Sequence, residues 1–274
     1  MPKVVIVVLN YCAYEETINC VRSIQKHCTL EAINIVIVDN GSSNDSYQIL
    51  KNEFREIKEI VIVRSEKNVG FAKGNNIGIK IARQQLGADF VLLLNSDTIM
   101  LEDDYLDKML SEYDDQVGVM QSCALRINGR YTQKNTGTYS LKEQLWTYIK
   151  SIADYFDIYV PFYKSQNKQE KDFPIWISGC DILLTPSFFD VYQGLYPYTF
   201  LYGEENILAI MIKKAGLCWK VVENAHILHA ESASTPANLK EGMKKKQRMM
   251  LTARKNGILV RCVPFCILKR IKVY

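Results

Sequence analysis

Long apolar runs are missing from this 274-residue chain. The first hydrophobic stretch, Val4-Val5-Ile6-Val7-Val8-Leu9, is six residues, far short of the roughly 20 that a membrane-spanning helix needs. No small-residue cleavage site follows it, so neither an anchor nor an export signal is expected. Paired cysteines are missing too. The eight present (Cys12, Cys20, Cys28, Cys123, Cys180, Cys218, Cys262 and Cys266) stand singly, with no CxxC pair and no histidines at zinc spacing, which excludes a zinc module and points to reduced thiols in the cytoplasm. Histidine is scarce, with three in the chain. There is no internal repeat and no Pro/Gly/Ser linker, so a solenoid or a string of small modules is also excluded.

What is present is a globular composition, 48% hydrophobic, enough for a sizeable core. The net charge of +4 conceals an asymmetry: from Asn238 onward there are eleven basic residues against one acid, leaving 23 basic and 29 acidic residues in the rest. Basicity therefore belongs to the tail. Apolar residues such as Met243, Met249, Leu251, Ile258, Val263 and Ile267 interleave with those charges. Amphipathic helices lying on an anionic bilayer fit that pattern; so does a solvated helix face packed on the domain. Nucleic acid is the other anionic partner considered.

Strand-like and helix-like segments alternate through the first hundred residues. Lys3 to Leu9 reads as a buried strand, Glu15 to His27 as an amphipathic helix, and Ile33 to Val38 as a second strand, followed by a helix from about Ser46 to Phe54. Ile60 to Arg64, a helix over Phe71 to Leu86, and a strand over Phe90 to Leu94 complete four units. This alternation predicts a doubly wound α/β sheet whose ligands sit beyond the carboxyl ends of its strands. Later, strands are expected at Val117 to Leu125, Ile175 to Ser178 and Ile182 to Leu184. Helix plus a mobile loop, most polar at Lys164 to Lys171, is expected between Tyr139 and Asp172, and a helix from Glu204 is closed by Gly216.

Each polar cluster falls on one sheet edge. Phe90-Val91-Leu92-Leu93-Leu94 runs into Asn95-Ser96-Asp97; a carboxylate there, beside the oxygens of Asn95 and Ser96, suits a hard divalent cation shared with a diphosphate, although an ordinary capped turn uses the same residues. Asp39 ends the second strand, where an acid can accept from a ribose hydroxyl or a base N–H or can cap a helix. The Asn68-Val69-Gly70-Phe71 segment continues to Asn75-Asn76-Ile77-Gly78 without Walker or dinucleotide spacing. Its glycines permit close backbone approach to an anion or serve helix-sheet packing, and its asparagines can bond a nucleotide sugar. Glu204 and Glu205 open a helix, where they favour its dipole in any case or offer a general base. His226 and His229 lie three residues apart, each a core histidine or a metal ligand.

Taken in order, Asn10-Tyr11, Asp39-Asn40-Gly41-Ser42, Asn68 through Gly78, Asn95-Ser96-Asp97, Gly179-Cys180, Tyr202-Gly203-Glu204-Glu205 and His229 resemble the motif set of the family-2 inverting glycosyltransferases of GT-A fold. The subgroup most resembled is the rhamnosyltransferase-like enzymes of bacterial surface polysaccharide assembly. The resemblance covers roughly Lys3 to Ser232 and implies a Rossmann-like, mostly parallel sheet flanked by helices, with a basic helical C-terminal appendage. Residues 1–237 would form the GT-A domain, with a nucleotide-binding half of about 1–100 and an acceptor half of about 101–237, and 238–274 the appendage.

The resemblance implies that Asn10 and Tyr11 lie beside the base, that Asp39 binds it, and that Asn68, Gly70, Asn75 and Asn76 serve the nucleotide sugar with Asn95 and Ser96. Asp97 and His229 would hold Mg²⁺ or Mn²⁺, and Glu205, with Glu204 as the alternate, would be the catalytic base. Asn95 stands where the motif usually has an acid, and Glu205 where it usually has Asp. The implied reaction moves a sugar from a UDP- or dTDP-sugar to a glycan acceptor, lipid-linked in character. It would take place in the cytoplasm, with peripheral contact at an anionic membrane and without nucleic acid. A nucleotidyltransferase and a catalytically silent sugar-nucleotide-binding paralogue are the alternatives. The first normally carries a Gly-rich loop with a basic residue after strand one, which Asn10-Tyr11-Cys12-Ala13 lacks.

Overall fold

Strand β1 (Val4–Asn10) is apolar on both faces and takes a central position. In this computed structural model, which describes residues 2–28, 33–126, 129, 140–156, 158–159, 179–230 and 239–274, β1 lies between two parallel neighbours, β2 (Ile33–Asp39) and β4 (Phe90–Asn95). Before β2 comes helix α1 (Tyr14–His27), and between β2 and β4 come α2 (Ser46–Glu53), β3 (Ile60–Arg64) and α3 (Phe71–Gln84). Side-chain alternation along the strands feeds two cores. Val5, Val7, Val36, Val38, Val91 and Leu93 pack with α3 on one face. Val4, Ile6, Val8, Ile35, Leu92 and Leu94 pack with Val21 and Ile24 of α1 and Leu50 of α2 on the other.

Past β4 the chain makes β5 (Thr98–Met100), α4 (Tyr105–Ser111), β6 (Val117–Arg126), α5 (Leu141–Tyr155), β7 (Asp181–Leu184), α6 (Pro186–Phe189), α7 (Glu204–Lys214) and β8 (Cys218–His229). The eight-stranded sheet runs β3-β2-β1-β4-β7-β6-β8-β5. Four of its seven neighbouring pairs are parallel, and the antiparallel ones, β4 with β7, β6 with β7 and β5 with β8, all lie in the second half. The expected strand at Ile175 to Ser178 and the polar loop at Lys164 to Lys171 lie outside the described residues.

The two halves are stitched through α3. A Cβ on Gly74 would come within 2.7 Å of Leu9, and one on Gly78 would overlap Val7, so these two glycines serve helix-sheet packing. Asn76, one residue past Asn75 and equally buried, donates from Nδ2 to the Leu195 carbonyl at 2.8 Å and accepts from the Leu195 N–H at 2.8 Å. It acts as a staple between segments 119 residues apart. Asn76→Ala would strand both backbone groups in the core; we expect a loss of about 3 kcal/mol in denaturant unfolding, at about 1–3 kcal/mol for each buried group left unpaired. An unchanged unfolding midpoint would contradict the staple.

The segment after Asn238 forms α8 (Leu239–Cys262) and α9 (Phe265–Leu268). Helix α8 lies on the domain, where Arg254 donates to the Thr147 carbonyl of α5 at 2.9 Å and Asn256 to the Tyr198 carbonyl at 2.7 Å. Ala253 and Val260 are buried. The last residue returns to the body, its hydroxyl donating to the Gln193 carbonyl at 2.6 Å.

Candidate active site

The carboxyl ends of β1 and β2 share a closed polar network. Asp39 is fully buried; its Oδ1 accepts from Asn10 Nδ2 at 2.7 Å, and its Oδ2 accepts from the Ser42 N–H at 3.2 Å and pairs with Arg64 Nε at 3.3 Å. Asn10 is equally enclosed, accepting on Oδ1 from the Ala13 N–H and the Thr17 hydroxyl. Both side chains are enclosed by this network, whereas Tyr11 is 40% exposed. Asn68 accepts from Asn40 Nδ2 at 3.1 Å and from the Gly70 N–H at 3.0 Å, which shapes the turn into α3. Asn75 donates to the Phe71 carbonyl within its own helix. Asn76 is committed to Leu195 and Asn68 to the turn, so both build the scaffold under that edge, while the Asn75 Oδ1 is buried without a hydrogen-bond partner. Arg64 was not anticipated. Its guanidinium crosses from Asp39 to the Ser42 carbonyl at 2.9 Å, half exposed, and a basic residue closing the third strand was the available signal.

The second cluster assembles around the end of β4. Asn95 donates its backbone N–H to the Cys180 carbonyl at 3.0 Å and accepts the Thr98 hydroxyl at 2.8 Å, so Ser96 and Asp97 fill a tight connection into β5. Because β5 pairs with β8 in the register Thr98 to His229, Asp97 and His229 face each other, with Oδ1 and Nε2 3.3 Å apart. His226, three residues earlier on β8, is instead bonded to Glu102 at 2.7 Å. Asp97 and His229 are an oxygen and a nitrogen donor of the kinds a divalent cation takes, and would hold one. Among the described residues no group of three or more His, Cys, Asp or Glu converges, so the protein offers part of a coordination shell, the share Mg²⁺ typically takes when a diphosphate and water supply the rest.

The glutamates join this cluster through Gly179. A Cβ built on Gly179 would lie 2.5 Å from Glu205 Oε1, so the Glu205 carboxylate rests against that glycine. Gly179 is adjacent to Cys180, the residue whose carbonyl takes the Asn95 N–H. Immediately after it, buried Asp181 accepts from the Ser122 N–H at 2.7 Å and the Tyr105 hydroxyl at 3.1 Å, anchoring the start of β7. Burial pushes the Asp181 carboxyl up to about 6.

Glu204 and Glu205 occupy the first turn of α7, after Tyr202 and Gly203, both in left-handed backbone (φ 76° and 78°). The two differ in setting. Glu204 is 7% exposed and its Oε1 has no hydrogen-bond partner; burial first, and the neighbouring Glu205 charge second, push it up to about 7. Glu205 is half-buried, and desolvation raises it too. A carboxyl raised to about 7, as Glu204 is, holds or releases a proton near neutrality.

Residues 3–177 match the family described as glycosyl transferase family 2. The chain belongs to that family. The matched span reaches Asp97 and stops short of Gly179, Glu205 and His229. Among family relatives, the glycosyltransferase GlyG of Streptococcus pneumoniae serotype 4 (strain ATCC BAA-334 / TIGR4) is 28% identical over 85 residues, 31% of this chain and 27% of that protein; the chain thus spans about a quarter of that relative's length. The crystal structure of residues 1–349 of S. aureus TarS superposes with a TM-score of 0.56 at 16% identity, covering 92% of this chain and 71% of that one. That likeness shows a common GT-A fold.

Proposed function

We propose that this family member is an inverting glycosyltransferase that moves a sugar from a UDP- or dTDP-sugar to a glycan acceptor, lipid-linked, in cell-surface polysaccharide assembly. The observation that carries the reading is the placement of Glu205 against Gly179, one residue from the rung that joins β7 to the Asn95-Ser96-Asp97 turn. Glu205 takes the proton from an acceptor hydroxyl, and the resulting oxygen attacks the anomeric carbon opposite the nucleoside diphosphate, which departs with its bonding electrons. Attack from the opposite face inverts the configuration. Glu204, its buried neighbour in the sequence, keeps its own proton up to about 7 through burial and the Glu205 charge. Asp97 and His229 are the residues that would hold Mg²⁺ or Mn²⁺, which when bound neutralises charge on the diphosphate. Tyr11 and Arg64 border the nucleotide edge over the Asn10–Asp39 network. Residues 1–237 make up the catalytic domain, and the exposed Lys244, Arg248 and Lys255 of α8 face an anionic membrane at the inner side of the cytoplasmic membrane.

Thermal unfolding with a panel of UDP- and dTDP-sugars, with and without Mn²⁺, tests this. The true donor is expected to stabilise by about 2.7 kcal/mol at a hundredfold excess over its Kd, and Asp97→Ala to erase the Mn²⁺-dependent part of that gain. No stabilisation by any donor would sink the donor-site reading. Stabilisation without turnover on any acceptor would identify a silent sugar-nucleotide-binding paralogue.

A further inference from the structure

Helix α5 carries an apolar stripe that is exposed among the described residues. Leu141, Leu145, Ile149 and Phe156 recur at helical spacing and fall within about 80° of arc; they are exposed by 40%, 42%, 54% and 64%. The opposite face does the packing, with Glu143, Ser151 and Ala153 buried. Such a stripe is not what a solvated surface helix shows, since its outer face is ordinarily polar. Tyr148 and Tyr155 flank it at half-burial, amphipathic rings of the kind that sit at a bilayer interface.

The charge beside the stripe argues for one occupant. Helix α8 runs along α5, with Arg254 bonded to Thr147, Gln247 to Asp154 and Arg248 Nε to the Tyr155 hydroxyl at 3.0 Å. On α8, Lys244, Arg248 and Lys255 are exposed at positions that again share one helix face. An apolar stripe bordered by tyrosines and by a basic helix is the pattern of an interfacial docking surface on anionic lipid. A second copy of this chain is disfavoured as the occupant, because it would bring two sets of those cations together. No helix among the described residues is long and apolar enough to cross a membrane, so contact of this kind lies in the plane of the interface.

We infer that α5 is the membrane-inserting element, its Leu145 and Ile149 entering the acyl boundary while the α8 cations hold the lipid headgroups. This rests on the proposed membrane contact and deepens it, moving the apolar grip from the basic tail to a helix within the domain. The test is sedimentation of the full chain with vesicles of phosphatidylglycerol and phosphatidylcholine in equal parts, compared with phosphatidylcholine alone. Wild type is expected to bind the anionic vesicles, and Leu145→Gln with Ile149→Gln to weaken that binding about 30-fold, with the melting temperature unchanged because both side chains are exposed. If the α5 double variant binds like wild type while Lys244→Gln, Arg248→Gln and Lys255→Gln together abolish binding, charge alone docks the protein. The α5 inference then fails and the membrane contact stands. If wild type binds neither vesicle, both fall. Self-association in sedimentation velocity that the α5 double variant removes, without vesicle binding, would assign the stripe to a second copy and overturn the inference.

Discussion

Glu205→Gln is expected to lower sugar transfer by about 10²–10⁴-fold, the usual contribution of a positioned general base, with donor binding by thermal shift intact. The amide keeps the shape against Gly179 and removes only the ability to accept a proton, so a loss confined to kcat is the diagnostic result. Equal loss from Glu204→Gln would reverse the assignment. The expected outcome for Glu204→Gln differs in kind. Glu204 is the member of the pair whose proton the Glu205 charge retains, so the amide leaves the acidic limb of kcat in place and acts on stability instead. A carboxyl held near 7 when folded and near 4.5 when unfolded contributes stability that is full below about pH 4.5 and is lost as pH rises through about 7. Glu204→Gln should therefore gain over wild type at pH 8 relative to pH 4, on the order of 3 kcal/mol. A melting-temperature difference that does not vary with pH would dismiss Glu204 as a titrating core group.

The second large effect comes from a residue with no chemistry of its own. In Gly179→Ala the new methyl would overlap Glu205 Oε1, the free end of a flexible side chain, so the carboxylate swings aside at little cost to the fold. Transfer is expected to fall about 10²-fold, the sensitivity of a well-placed reactive group to a displacement near 1 Å, while the melting temperature stays close to wild type. Gly70→Ala supplies the contrast. There the backbone is left-handed (φ 89°) and a Cβ would strike the Phe200 backbone, which cannot yield, so that variant loses stability instead. If Gly179→Ala unfolds as Gly70→Ala does, the pocket between Gly179 and Glu205 is packing and not positioning.

The order of these elements was largely legible in the residues. Uninterrupted apolar runs such as Val4 to Leu9 and Phe90 to Leu94 mark strands covered on both faces, and the polar residues that stop them mark the edge where ligands would gather. The antiparallel half was harder to read. Thr98–Met100 is three residues long and has no periodicity to detect, and Cys218–His229 carries Glu223 and Asn224 in the middle of a strand, at a break in register. Within the site, residue type was informative and direction was not. Asp97 and His229 face each other across the β5–β8 pair, while Glu205 rests against Gly179 on the neighbouring element. Asn10, Asp39 and Asn76 look from the sequence like ligand-facing groups, yet each is bound to backbone or to another side chain. A side chain that bonds a nucleotide and one that bonds a buried peptide have the same composition; only burial separates them.

The rung between the Asn95 N–H and the Cys180 carbonyl has a mechanical meaning. It ties the turn carrying Asp97 to the glycine that seats Glu205 within a single antiparallel ladder, and a ladder does not hinge. The spacing between that turn and Gly179 is then a property of the sheet, already set before any substrate arrives. Whatever motion admits a donor or an acceptor must pass around that rung and not through it.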